Sequence, residues 1–360
     1  MATGGAVPIP GAPDQVTAGW LSDVLGSEGS AVSVDNVAIS PIGTGQTGAT
    51  YRVAVRYGAD AHGLPESFVV KLPAQDEAVR DRVALSYRSE HAFYTEVAPS
   101  VAVPLPRCYH CAIADDGREF VLLLADMAPA VQGDQIRGCS VAEARLAATA
   151  LAGLHGPRWC DPTWLDFDGT VMPKPDDAGA RGLGDITKLA AQITIDKLGR
   201  RMSAADRETV LESAELMAEW LLHSPDRFSL LHGDYRLDNL LFDPGRNHVT
   251  VVDWQTLAVG LPARDLSYFI ATSLQPDERA AHERELVDVY YRALSGYGVT
   301  SYDAETCWQD YRLGMLQVPL ICTLGFAFSA ETERGGDMML AMMERGSQAI
   351  RDLGTLALVC

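Results

Sequence analysis

The most constraining stretch of this chain runs from Leu230 to Gln255. An apolar start leads into the loop His232-Gly233-Asp234-Tyr235-Arg236-Leu237-Asp238-Asn239, then a turn at Asp243-Pro244-Gly245, then Val251-Val252-Asp253-Trp254-Gln255. Short apolar runs bounded by Gly, Pro and Asp read as two small strands. The loop offers a carboxylate, Asp234, and five residues later a carboxamide, Asn239, while a second carboxylate, Asp253, ends an apolar strand. Magnesium takes hard oxygen donors of this kind, and a carboxylate beside them can accept or orient a proton. Phosphoryl transfer needs both. On this reading Asp234 is the base, and Asn239 and Asp253 hold the metal.

Upstream, Gly43-Thr44-Gly45-Gln46-Thr47-Gly48 forms a G-x-G-x-x-G. A dinucleotide-binding turn would open a helix, whereas this one runs into the strand pattern Tyr51 to Val55, as a kinase glycine loop between two strands does. A Walker loop is excluded, because Ala49 stands where it requires lysine. Lys71, one of only four lysines, closes the apolar run Phe68-Val69-Val70. A cation on the third strand, kept in place by a helix glutamate, would hold the α- and β-phosphates of a nucleotide. The helix predicted over 77–97 supplies Glu77, Glu90 and Glu96 as candidate partners.

Together these residues resemble the aminoglycoside phosphotransferase and choline kinase-like family, relatives of the protein kinases. Its loop pattern H-G-D-x4-N is met by His232, Gly233, Asp234 and Asn239, and its metal-binding aspartate by Asp253. The resemblance covers roughly residues 35 to 330. It implies an α+β, bilobal protein-kinase-like fold, with a small antiparallel-sheet lobe carrying one inserted helix and a larger, mainly helical lobe. It further implies ATP as co-substrate, Mg2+, and a small-molecule hydroxyl as acceptor. Glu90 is favoured as the partner of Lys71 because it precedes the aromatic pair Phe93-Tyr94, as the family's glutamate does. Leu122 to Met127 resembles the hinge that binds adenine through its backbone, which makes Asp126 and Met127 nucleotide contacts beside Gly43, Gly45 and Gly48. Arg236 stands where many protein kinases have a phosphate-contacting lysine and is a candidate catalytic cation, a structural role being the alternative. Asp265 matches a position that supports the catalytic loop. Two rival functions are a pseudokinase, which would lack one of these residues, and a protein kinase, which would carry H-R-D and D-F-G where this chain has H-G-D and D-W-Q.

A chain of 360 residues exceeds what one core usually organises. Strand patterns dominate 32–124 and helical ones follow, placing a boundary at 126: a nucleotide-binding part over 1–126, with 1–14 as a loose arm, and a catalytic and acceptor-binding part over 127–360. Helices are expected at 17–25 and 203–223, and a hairpin is expected over 109–124. The net charge of −19 is unsuited to nucleic acid or an anionic membrane. The first basic residue is Arg52, so the start lacks the flank of a secretory signal, and the seven irregularly spaced cysteines fit a reducing, cytoplasmic setting. Cys108 and Cys111 read as plain strand residues, and the uncharged window 313–330 as a buried helical region.

No motif encodes the acceptor. Trp159, Trp164, Phe167, Trp308 and Tyr311 are candidates to line its site, with core the commoner role for each. The uncharged window, with Phe326 and Phe328, favours an uncharged or partly apolar hydroxyl compound. Asp277, Glu278, Glu331 and Glu333 keep an aminoglycoside acceptor as the alternative.

Overall fold

The computed structural model describes residues 7–26, 32–42, 48–58, 63–223, 226–328 and 332–359. Gly43, Gly45, Ala330 and Glu331 lie outside the described residues. The chain divides into two compact units, Met1–Pro99 with Leu105–Ala128, and Ser100–Pro104 with Pro129–Cys360.

The first unit is a five-stranded antiparallel sheet in the order β1-β2-β3-β5-β4, made of β1 (Val34–Pro41), β2 (Gly48–Tyr57), β3 (Ser67–Pro73), β4 (Cys108–Ile113) and β5 (Phe120–Ala125). Alternation along β3 sends Phe68, Val70 and Leu72 into a core closed by Trp20, Leu21 and Val24 of helix α1 (Ala18–Gly26). Lys71 is therefore on the opposite face, paired with Leu122 of β5. On that side Phe120 stacks on Tyr87 of helix α2 (Glu77–Ala92), with ring centroids 5.4 Å apart. The expected helix over 77–97 changes at Phe93 into a wider π-type turn, Phe93–Val97. The segment read as a loose arm is held from Val7 onward: Val7 and Ile9 pack on the core, and the Trp20 indole donates to the Pro8 carbonyl at 2.8 Å.

The second unit is mainly helical. Helix α3 (Val141–His155) begins with a capping box in which Ser140 and Glu143 satisfy each other's backbone N–H groups. Helices α4 (Asp177–Leu198), α5 (Ala204–Glu215), α6 (Met217–Leu222), α7 (Ala263–Ser273), α8 (Pro276–Gly296), α9 (Ala304–Leu313), α10 (Gln317–Phe328) and α11 (Glu333–Leu353) follow. Ser203 caps α5 as expected, but the single helix read over 203–223 breaks at Leu216, whose ψ of 0° is not helical. All eleven residues of α7 are buried, which makes it the central helix of this unit. Within the window read as a buried helical region, Pro319 falls in the first turn of α10, where its missing N–H costs no helical bond. By length and composition alone Ala304–Phe328 could cross a membrane, but 61% of its apolar 18-residue window is buried inside the protein.

Two small β elements interrupt the helices. β8 (Leu240–Phe242) and β9 (Val249–Val251) form the hairpin expected around Asp243-Pro244-Gly245, and β6 (Val131–Gln132) extends it. β7 (Ser229–Leu231) pairs with β10 (Ala258–Gly260).

Candidate active site

The loop 232–239 connects β7 to β8, so two short strands fix its ends. His232 is fully buried. Its Nδ1 lies 3.3 Å from the Asp234 amide and its Nε2 3.1 Å from the Val252 carbonyl, which assigns a neutral imidazole protonated at Nε2. Gly233 has φ of 82°, and a Cβ there would lie 2.0 Å from the Thr256 carbonyl oxygen, so only glycine fits. The carboxylate of Asp265, on α7, accepts from the successive amides of His232 and Gly233 at 2.7 and 3.1 Å. A buried carboxylate thus braces the backbone just before Asp234.

Asp234 is held on both oxygens. Oδ1 accepts from the Tyr268 hydroxyl at 2.9 Å and from Arg236 Nε at 3.0 Å, while Oδ2 accepts from Arg236 Nε at 2.9 Å and from Asn239 Nδ2 at 3.2 Å. Asn239 Nδ2 also donates to the Asp234 carbonyl at 2.9 Å. The amide nitrogen is therefore spent, and Oδ1 of Asn239 is left to accept another group.

Backbone register brings Asn239 beside the second carboxylate: Leu240 pairs with Val251, and the Val252 amide donates to the Asn239 carbonyl at 3.0 Å. Asp253 follows with φ of 68°, a left-handed conformation costing a non-glycine residue about 1–3 kcal/mol and typical of functional positions. No cluster of three or more His, Cys, Asp or Glu occurs among the described residues. Asn239 and Asp253 alone fit magnesium, which keeps several waters and takes its other ligands from phosphates.

Arg236 joins Asp234 to Asp238, 3.0 Å from its Nη1, and that same nitrogen lies 3.2 Å from Sδ of Met338 on α11. Burial works against its charge, but Asp234, Tyr268 and Asp238 outweigh it and push its pKa up. Asp238 is pulled below the usual carboxylate range: burial opposes ionisation, and Arg236, Arg334 and the Gln135 amide overcome it. Gln135 also accepts from the Leu237 amide at 2.8 Å. Gln317, on α10, donates from Nε2 to the Gly233 carbonyl at 3.1 Å. Tyr268, Gln135, Gln317 and Met338 were not anticipated from sequence. Only Tyr268 carried a usable signal, standing three residues after Asp265 and hence on the same helical face.

In the first unit Lys71 Nζ lies 2.8 Å from Oε2 of Glu90, with the glutamate side chain 2% exposed. This is the favoured partner rather than Glu77 or Glu96. A Cβ on Gly48 would stand 3.1 Å from the Leu72 carbonyl and 3.6 Å from Cε of Lys71, so the glycine lets β2 lie close against the lysine stem. Asp126 turns its side chain to the sheet, accepting from Arg52 and Ser67, each at 2.6 Å. Burial raises its pKa, and these bonds with the Ala128 amide more than reverse the effect. Met127 is half-buried just beyond β5.

Of the acceptor candidates, Trp164, Trp308 and Tyr311 are core residues, the Tyr311 hydroxyl donating to Glu283 at 2.8 Å. Trp159 packs on Tyr302 at 4.9 Å. Phe326 is half-buried and Phe328 is exposed.

Residues 38–300 match the model of the phosphotransferase enzyme family. Among solved structures, the GDP complex of wild-type aminoglycoside 2'-phosphotransferase-IIIa is 13% identical, with a TM-score of 0.50 over 91% of this chain and 98% of that one. At this identity the likeness is one of fold. Acyl-CoA dehydrogenase family member 10 of Mus musculus is 38% identical over 73 residues, which is 19% of this chain and 7% of that protein. The uncharacterized oxidoreductase dhs-27 of Caenorhabditis elegans is 21% identical over 326 residues, 79% of this chain and 38% of the relative. This chain spans well under half the length of either relative.

Proposed function

Because this chain belongs to the phosphotransferase enzyme family, whose model spans residues 38–300, we propose that it moves the γ-phosphate of Mg·ATP to a hydroxyl of a small molecule. Its fold is α+β, bilobal and protein-kinase-like. The observation that carries the reading is the grip on Asp234: Asn239, Arg236 and Tyr268 hold both carboxylate oxygens, and the hairpin sets Asn239 next to Asp253. A carboxylate so held keeps one orientation, which suits aligning an acceptor hydroxyl more than a freely rotating base would.

In this reading Lys71, charge-balanced by Glu90, takes the α- and β-phosphates with Gly43, Gly45 and Gly48, and the backbone at Asp126 and Met127 takes the base. Asn239 Oδ1 and Asp253 hold magnesium, which when bound neutralises phosphate charge. Arg236 keeps a positive charge beside Asp234 at any working pH. Six cysteines among the described residues are free thiols, and with ATP chemistry this supports a cytoplasmic setting.

For the acceptor we favour a hydroxyacyl compound, uncharged or partly apolar at the reacting end. Phe326 and Phe328 supply accessible apolar surface on α10, and a segment 38% identical to part of this chain occurs in a mouse protein named as an acyl-CoA dehydrogenase family member. The test is a screen of hydroxyacyl compounds, alcohols, sugars and aminoglycosides, reading ATP-dependent mass gains of about 80 Da, the mass of a phosphoryl group. Hydroxyacyl acceptors should reach kcat/KM of about 10⁴ M⁻¹s⁻¹ or more, the lower end for natural substrates. Comparable values on aminoglycosides alone would refute the acceptor class. Absence of ATP binding would refute the kinase.

A further inference from the structure

Helix α4 packs on α5, α6 and α10 and buries Ala180, Gly184, Thr187, Ala191 and Thr194 along its inner side. The opposite side carries Gly182, Ile186, Leu189 and Ile193, spaced four, three and four residues apart. Ile186 is 48% and Leu189 57% exposed, and Ile193 is half-buried. A surface helix ordinarily turns polar residues outward, whereas an apolar seam at this spacing is what lays one helix along another. Gly182 points the same way. A Cβ there would meet nothing within 4 Å, so no contact inside the chain asks for a residue that weakens a helix interior relative to alanine.

The charges along α4 indicate what covers the seam. Asp177, Arg181, Asp185, Lys188, Asp196 and Lys197 alternate in sign and sum to zero, in a chain whose net charge of −19 otherwise drives copies apart. We propose that a second copy of this chain docks here, α4 antiparallel to α4, about a two-fold axis between Thr187 and Lys188. That register sets Ile186 against Leu189 of the second copy and Gly182 against its Ile193, the glycine making room for the larger side chain. On one flank of the seam it brings Arg181 toward Asp196 of the second copy, and on the other Lys197 toward its Asp176. Each pair recurs by symmetry, as in any isologous contact. A parallel pairing would set each charge on its own kind. In the single chain Arg181 pairs with Asp177 and Asp196 accepts from Gln192, both in exposed positions. Surface pairs of this sort contribute little and can exchange for contacts across the seam.

The contact is tested by sedimentation velocity of the full chain at concentrations up to about 1 mM. A single helix of 22 residues a side, about 33 Å long, falls below the standard interface size and binds weakly. The wild type should pass from monomer to dimer as concentration rises. Leu189→Asp, which buries a carboxylate in the seam twice, should stay monomeric. Arg181→Asp and Asp196→Arg each turn two attractive contacts repulsive and should raise the dissociation constant by about tenfold or more. In an equimolar mixture of those two variants every facing pair is again opposite in sign, and most of the loss should be recovered, which a folding defect could not produce. A wild type that stays monomeric would overturn the proposal; if it then floats with phosphatidylcholine vesicles while Leu189→Asp does not, the seam belongs to a lipid surface instead. Dimers that persist in Leu189→Asp, single charge variants that associate as the wild type does, or a mixture as weak as its components would overturn it equally.

Discussion

Tyr268→Phe isolates one contact of the Asp234 carboxylate, the proposed base. The ring is buried in α7, so phenylalanine keeps the packing and removes only the hydroxyl, which donates to Asp234 Oδ1 at 2.9 Å. A hydrogen bond to a charged group contributes about 1.5–3 kcal/mol, and each 1.36 kcal/mol is about tenfold in rate. The loss is incomplete, because Arg236 Nε still reaches both oxygens and Asn239 still holds Oδ2. We therefore expect kcat to fall about tenfold, with KM for ATP nearly unchanged because Tyr268 has no part in nucleotide binding. Steady-state kinetics on an acceptor from the screen, with ATP and acceptor varied separately, measures this, and denaturant unfolding gives the stability change alongside. A kcat within about twofold of wild type, with stability lowered by about 1 kcal/mol or more, would show that the hydroxyl serves the core and not the reaction.

Asp253→Ala should abolish phosphate transfer by removing the proposed bridge between metal and phosphates, and full turnover in that variant would remove Asp253 from the mechanism. Asp234→Asn should leave nucleotide affinity nearly intact, as read by calorimetry, while kcat drops by about 10² or more. Asp238 titrates below its ordinary value in the folded state, so its stabilising effect is complete above about pH 4, the unfolded value, and is lost as pH falls through the folded one. Thermal melts from pH 7 downward should show Asp238→Asn losing less stability below about pH 4 than the wild type does; parallel curves would contradict the assignment.

What could be read from sequence follows the range of the contacts. Asp234 and Asn239 are five residues apart and the hairpin beside them is local, so spacing and turn residues were enough to bring them toward Asp253. The Lys71 to Glu90 pair spans a strand and a helix and needed the family resemblance to choose among three glutamates. Tyr268, Gln317 and Met338 reach the loop from helices 34 to 102 residues away in the chain. No periodicity encodes such contacts. The pairings of β6 with β8 and β7 with β10 involve only two or three residues a side, too few to alternate visibly. The break at Leu216 and the wide turn at Phe93 occur in sequence without Gly or Pro, so helix patterning ran through them.

Helix α7 carries Asp265 under the loop 232–239, Tyr268 on Asp234 and Arg264 on Gln317, and every one of its residues is buried. Foldedness and the setting of the proposed base are thus written into the same eleven positions. A laboratory evolution campaign toward a new acceptor would find this helix nearly immutable, since a substitution that loosens the core also turns the carboxylate. The productive diversity should instead accumulate on α10 and α11, whose outward side chains can change without disturbing the scaffold. Variants with improved turnover but unchanged acceptor choice would be expected to arise from compensating pairs, one member in α7 and the other in a helix packed on it.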